Sequence, residues 1–136
     1  LQRSQPPQRV EKRPRPADVE AAEFADRVLV LYRLRQARDA AGLRQEEVSA
    51  AVGRRQTFVS DIEMGKRELS VQSLLALSRA LGVPPEALVR APSDPVEVRL
   101  HDLTRSAVLR ARNEGRGPPL VWEAIEAGTG REWRYK

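Results

Sequence analysis

Three observations predict an all-α protein. Apolar residues recur at steps of three, four and seven through most of the chain, the period of a helix. Glycines at 42, 53 and 65 fall where those stretches break off, as helix stops do. Strand-type alternation is confined to the end, where Trp133 and Tyr135 interleave with Glu132, Arg134 and Lys136.

Residues 1–16 hold four prolines and a net charge of +4 from Arg3, Arg9, Lys12, Arg13 and Arg15 against Glu11. So little apolar surface cannot offset the entropy of ordering the chain, so this basic, Pro-rich arm is expected to be disordered on its own. From Ala17 to Ala41 there is no Gly or Pro, and Phe24, Val28, Leu31, Leu34 and Ala41 keep helical register up to Gly42. Four shorter helices follow. Gln45–Val52 carries Val48 and Val52, and Gln56–Glu63 carries Val59 and Ile62. Ser70 is placed to cap Val71–Ala80, whose stripe is Leu74, Leu75, Leu77 and Leu81. Pro84-Pro85 opens a last short helix through Val89.

Residues 91–95 read as a linker, and Val96, Leu100, Leu103, Ala107 and Ala111 predict a further helix to about Asn113. Residues 120–127 read either as a short helix or as one arm of a hairpin turning at Gly128-Thr129-Gly130. The alternation at Trp133 and Tyr135 favours the hairpin. The division expected is an arm at 1–16, a helical domain at 17–90 and a C-terminal extension at 91–136.

Composition removes several functions. The chain has 136 residues, no Cys and a single His101. Disulfides, thiolate zinc sites and a cysteine nucleophile are excluded, and His-based metal or triad chemistry is disfavoured. No metal and no cofactor are expected. The close carboxylates, Glu46-Glu47 and Asp61 with Glu63, sit on short exposed helices, so an enzyme is the weakest class. No apolar run reaches the roughly 20 residues of a membrane span, and no signal sequence opens the chain, so a cytoplasmic protein is expected. The formal charge of +5 invites a polyanion, although most of the surplus lies in the arm.

The pair Gln45–Val52 and Gln56–Glu63, joined by a short link containing Gly53, has the arithmetic of a helix-turn-helix. On a helical wheel Gln56, Thr57, Ser60 and Asp61 fall within about 140°, opposite Val59 and Ile62. A helix that reads base edges needs that division. An ordinary amphipathic helix has it too.

The wider pattern narrows the choice. Leu34-Arg35, Arg38, Gly42-Leu43, Gln45-Glu46-Glu47-Val48 and Gly53 come first. Gln56-Thr57-Phe58-Val59-Ser60, Ile62-Glu63, Gly65-Lys66-Arg67 and then Leu74, Leu77, Ala80-Leu81-Gly82-Val83 follow. Together these residues, over about 24–90, resemble the Cro/C1-type (XRE-like) helix-turn-helix DNA-binding family. The resemblance implies five helices, a recognition helix at 56–63, double-stranded DNA as partner and a homodimer. It implies base contacts from Gln56, Thr57 and Asp61, with Ser60 between them. It implies phosphate contacts from Gln45, Lys66 and Arg67, and a structural ion pair between Arg38 and Glu63.

The chain departs from the family where helices 2 and 3 usually begin with a Ser or Thr cap, each contributing ~1 kcal/mol. Here Arg44 and Arg55 stand instead. Either Arg44, Arg54 and Arg55 add phosphate contacts, or the packed domain tolerates poor caps. Asp61 either accepts from a cytosine amino group or faces away from DNA. The arm residues Arg9, Lys12, Arg13 and Arg15 either follow phosphates or stay solvated. The extension either mediates a dimer, binds a protein partner or packs back on its own domain.

The expectation is a sequence-specific transcriptional regulator, most simply a dimeric repressor placing helix 56–63 in the major groove. The alternatives are the antitoxin of a toxin–antitoxin pair and a protein-interaction module, for example polymerase-binding, that keeps the fold without specific DNA binding.

Overall fold

The computed structural model describes residues 15–134. Among them are seven helices: α1 (Pro16–Ala40), α2 (Gln45–Ala51), α3 (Phe58–Glu63), α4 (Val71–Leu81), α5 (Pro85–Val89), α6 (Pro95–Asn113) and α7 (Val121–Thr129). No strand occurs among the described residues, and none of the helices is long and apolar enough to cross a membrane. Arg9, Lys12 and Arg13 of the arm, with Tyr135 and Lys136, lie outside the described residues.

Local signals start the helices. Pro16 occupies the first turn of α1, where its missing N–H costs nothing. The Ser70 hydroxyl accepts the Ser73 N–H at 3.0 Å to open α4, and Asp94 accepts the Glu97 N–H at 2.8 Å to open α6. Arg15 of the predicted arm flanks α1 and bonds Asp18 at 3.0 Å, and Pro16, the last residue of that arm, already belongs to the helix.

The long α1 organises the molecule because it is buried on two sides. On one, Arg27 and Arg38 reach Gly65 and Glu63 at the end of α3. On the other, Asp26 and Arg33 reach His101 and Glu97 of α6. A single core runs through both halves, from Val28, Leu31, Leu34, Val48, Ile62 and Leu77 to Leu100, Val121, Ile125 and Trp133.

Two expectations are corrected here. The face that α6 buries is Glu97, Leu100, Thr104, Val108 and Ala111, so Val96 and Leu103 of the predicted stripe are exposed. Both sets have helical spacing, and the choice between them follows from tertiary contacts. The Arg33–Glu97 pair holds the N-terminal end of α6 against α1, at 2.8 Å. The expected hairpin is instead α7. The Glu123 carboxylate accepts the Leu120 N–H at 2.9 Å, Val121, Ala124, Ile125 and Gly128 bury one helical face, and the helix continues to Thr129.

Gly128, expected as part of a turn, is a crossing point of α7 over α6. A Cβ there would lie 2.5 Å from Leu100 Cδ1 and 3.1 Å from its Cα. Gly128→Ala is therefore expected to destabilise by about 1–3 kcal/mol through overpacking. Urea unfolding checks this; a stabilised variant, as an ordinary helical Gly→Ala would give, defeats it.

Candidate nucleic-acid interface

The site is built on α2, α3 and the loop after α3. Phe58, Val59 and Ile62 bury the back of α3 at 3%, 4% and 1% exposure. The other side carries Gln56 and Thr57, both exposed, with Ser60 and Asp61 half-buried. The regular helix starts at Phe58 rather than Gln56: the Phe58 N–H bonds the Arg55 carbonyl at 3.0 Å in a turn, and Thr57 is the N-terminal flanking residue. The Ser60 hydroxyl donates to the Thr57 carbonyl at 3.0 Å, which ties it to that turn.

The missing caps have substitutes. At the start of α2 the Glu47 carboxylate accepts the Arg44 N–H at 2.7 Å. That backbone bond, helped by the Arg44 side chain, holds the Glu47 carboxyl below the usual carboxylate range. At the start of α3 the fully buried Ser49 of α2 accepts the Val59 N–H at 3.0 Å. An otherwise orphaned donor is satisfied from the neighbouring helix, and the two helices are locked in register. The Arg44 side chain pairs with the same Glu47 carboxylate, its Nε at 3.4 Å.

Basic side chains flank the polar face. Arg44, Arg54, Arg55, Lys66 and Arg67 are all exposed. Arg54 and Arg67 lie over the Phe58 ring, at 4.5 and 5.2 Å from its centroid. Stacking pre-orders both cations beside α3. The loop bearing Lys66 and Arg67 is itself fixed: both N–H groups bond the Asp61 carbonyl, at 2.8 and 3.2 Å. Its turn needs Gly65, whose φ is +79° and where a Cβ would lie 2.5 Å from Val121 Cβ. From α1, Arg27 donates to the Gly65 carbonyl at 2.9 Å.

Arg38 and Glu63 form a buried, two-pronged pair at 2.7 and 3.1 Å. Arg38 also donates to the Leu43 carbonyl at 2.8 Å, and the Gln45 amide donates to Glu63 at 3.0 Å. One carboxylate thus joins α1, α2 and α3. Gln45 is half-buried, and the amide hydrogen it gives to Glu63 orients the rest of its side chain.

Sequence reasoning did not single out Ser49, Arg27 or Trp133 as parts of this site. Ser49 and Arg27 look like ordinary surface-compatible residues on helices, and their spacing carries no sign of partners 10 and 38 positions away. Trp133 drew notice as an aromatic, yet its bond to Glu63 spans 70 residues.

Comparison with known proteins agrees with this geometry. A helix-turn-helix family model matches residues 34–88, from the last third of α1 to α5. The chain is similar to the uncharacterized HTH-type transcriptional regulator y4dJ of Sinorhizobium fredii (strain NBRC 101917 / NGR234). The two are 45% identical over 53 residues, which are 39% of this chain and 68% of the relative. No solved structure matches the chain. With two helices locked at the Ser49–Val59 register and a polar, cation-flanked face on the second, the chain belongs to the Cro/C1-type helix-turn-helix family, a family of DNA-binding, non-catalytic domains.

Proposed function

We propose that the protein is a sequence-specific, double-stranded DNA-binding transcriptional regulator that acts as a dimeric repressor. The observation that carries this reading is the division of α3 and the turn before it: Phe58, Val59 and Ile62 buried, Gln56 and Thr57 exposed, and five exposed cations around them. In this reading Gln56, Thr57, Ser60 and Asp61 meet base edges. Gln45, Arg44, Arg54, Arg55, Lys66 and Arg67 meet phosphates, and Arg9, Lys12, Arg13 and Arg15 of the arm extend the backbone contact. Repression is occlusion, with two recognition helices in successive major grooves about 34 Å apart. The division of labour is an arm at 1–16, a DNA-binding domain at 17–90 and an extension at 91–136 that contributes to the dimer or to a protein partner. The site of action is the cytoplasm, on the nucleoid when bound to DNA.

The test is selection from random duplex DNA by the full-length protein at about 150 mM salt. An enriched inverted repeat with half-sites one helical turn apart is expected. A single unrepeated site removes the dimer. On the selected site, Gln56→Ala is expected to relax preference at one base position at a cost of about 1–3 kcal/mol. Lys66→Ala is expected to weaken all duplexes alike and reduce the salt slope by about 0.9. Equal loss across all base positions for Gln56→Ala refutes the base contact.

A second reading, a protein-binding module that keeps the fold without specific DNA binding, is favoured by Asp61, a carboxylate on the face that would meet DNA. It is also favoured by a groove of about 520 Å3 between α1 and α4. Phe24, Leu69 and Leu74 line that groove, and Val71 and Val89 at its side are 71% and 56% exposed. No enriched DNA in the selection decides for this reading.

A further inference from the structure

We propose that Trp133 is a positioning residue for DNA binding, and that the C-terminal extension through it sets the pose of α3. The proposal rests on the reading of α3 as the DNA-contacting helix. A six-residue helix makes few bonds of its own, and its last carbonyls lack intrahelical partners. The Glu63 carbonyl at its end accepts the Trp133 indole N–H at 2.9 Å, while the Glu63 side chain is held by Arg38 and Gln45. Glu63 is thus held at both its main chain and its side chain.

Trp133 is itself firmly placed. It is 4% exposed, its ring stacks on Tyr32 of α1 at 6.0 Å and 28°, and the Arg35 guanidinium lies 4.4 Å from its centroid. Arg35 also donates to the Trp133 carbonyl. The Trp133 N–H donates to the Glu126 carboxylate of α7 at 2.8 Å. That bond is the main reason the Glu126 carboxyl sits below its ordinary range. A continuous path therefore runs from α7 through Glu126 and Trp133 to the end of α3. A second contact acts at the same place: Val121 of α7 packs where any side chain at Gly65 would stand. Loop residues Lys66 and Arg67 follow directly and hang on the Asp61 carbonyl. Displacing the end of α3 thus moves the reading face and the phosphate-facing loop together. Trp133, Glu126 and Val121 all lie beyond the family match, which ends at residue 88, so the brace reaches α3 from outside the matched domain.

The experiment uses the full-length protein with Trp133→Phe, which keeps an aromatic ring between Tyr32 and Arg35 and removes the N–H together with the five-membered ring of the indole. Two quantities are read: amide hydrogen exchange across the chain, and affinity for the duplex selected by the wild-type protein against an unrelated duplex. Protection of the α3 and 64–67 amides is expected to fall about fivefold, the effect of one hydrogen bond, with α1 and α6 amides unchanged. The preference for the selected duplex is expected to fall by a similar factor while affinity for the unrelated duplex holds. Trp122→Phe, a tryptophan of α7 that stacks with Arg134, is expected to leave both readouts at wild-type values. Unchanged α3 protection, unchanged preference, or a uniform loss of protection across all helices overturns the proposal. A wild-type protein that selects no duplex overturns the DNA reading itself. The exchange data need no DNA and tell that failure apart from failure of the brace.

Discussion

Glu63→Ala is expected to lower the unfolding free energy by about 3–5 kcal/mol, a large share of the 5–15 kcal/mol that holds a small domain together. The substitution takes from Arg38, charged and buried at 6% exposure, the carboxylate it meets at 2.7 and 3.1 Å, while the Leu43 carbonyl and the exposed Asp39 at 3.8 Å stay in place. It also releases the Gln45 amide, so α1, α2 and α3 lose their shared contact in one step. Replacing both members by apolar residues of similar volume, as in Arg38→Met with Glu63→Leu, removes the buried charge itself. That double variant is expected to recover much of the stability. DNA affinity is not expected to return with it, because Gln45 remains without its carboxylate. Urea unfolding of the two single variants and the double variant gives the coupling energy directly. A Glu63→Ala variant within 1 kcal/mol of wild type contradicts the account of this pair.

The second large effect lies at the junction of α1, α5 and α6. Arg33 donates twice to Glu97, at 2.8 and 3.1 Å, and to the carbonyls of Leu88, Arg90 and Ala91. The Ser93 N–H adds a further bond to Glu97 at 3.1 Å. The Arg33 hydrogen bonds, more than burial opposes them, pull the Glu97 carboxyl from 4.5 down to about 2. Because the folded value lies below the unfolded one, the carboxylate stabilises the fold fully above about pH 4.5. That contribution, about 3 kcal/mol, is lost as the pH falls from 4.5 towards 2. Stability of the wild-type protein should therefore drop steeply across that window, and Glu97→Gln should flatten the drop. Arg33→Met is expected to cost about 3–5 kcal/mol at neutral pH, since it strands a buried carboxylate. Parallel pH profiles for the wild type and Glu97→Gln would refute this assignment.

Legibility followed the range of the interactions. The five helices from α1 to α5 were readable because each is defined by residues within a turn or two: Ser70, Pro85 and the spacing of Val28, Leu31, Val59 and Ile62. The polar face of α3 was readable for the same reason, and only its first turn moved, from Gln56 to Phe58. The substitutes for the missing caps divide on this principle. Glu47 lies three residues from Arg44, within reach of local reading, whereas Ser49 reaches Val59 across the turn. In α6 two helical stripes competed, and a Glu and a Thr on the buried one made it look like the solvent side.

The sequence by itself determined the all-α class, the helix-turn-helix, the residues on the exposed face of α3 and the concentration of positive charge in the first 16 residues. The class, the face and the charge are consequences of short-range periodicity, capping chemistry and composition, whereas the helix-turn-helix is read from the resemblance of residues 24–90 to its family. Only the tertiary structure decided which face of α6 is buried, that 121–129 is a helix rather than a hairpin, and that the extension packs along α1. It alone joined Arg33 to Glu97 across 64 residues and Trp133 to Glu63 across 70. A buried charge or an indole N–H must find a partner wherever the fold brings one. One-dimensional spacing holds no information on a partner that distant, so these contacts appear only when the helices are packed.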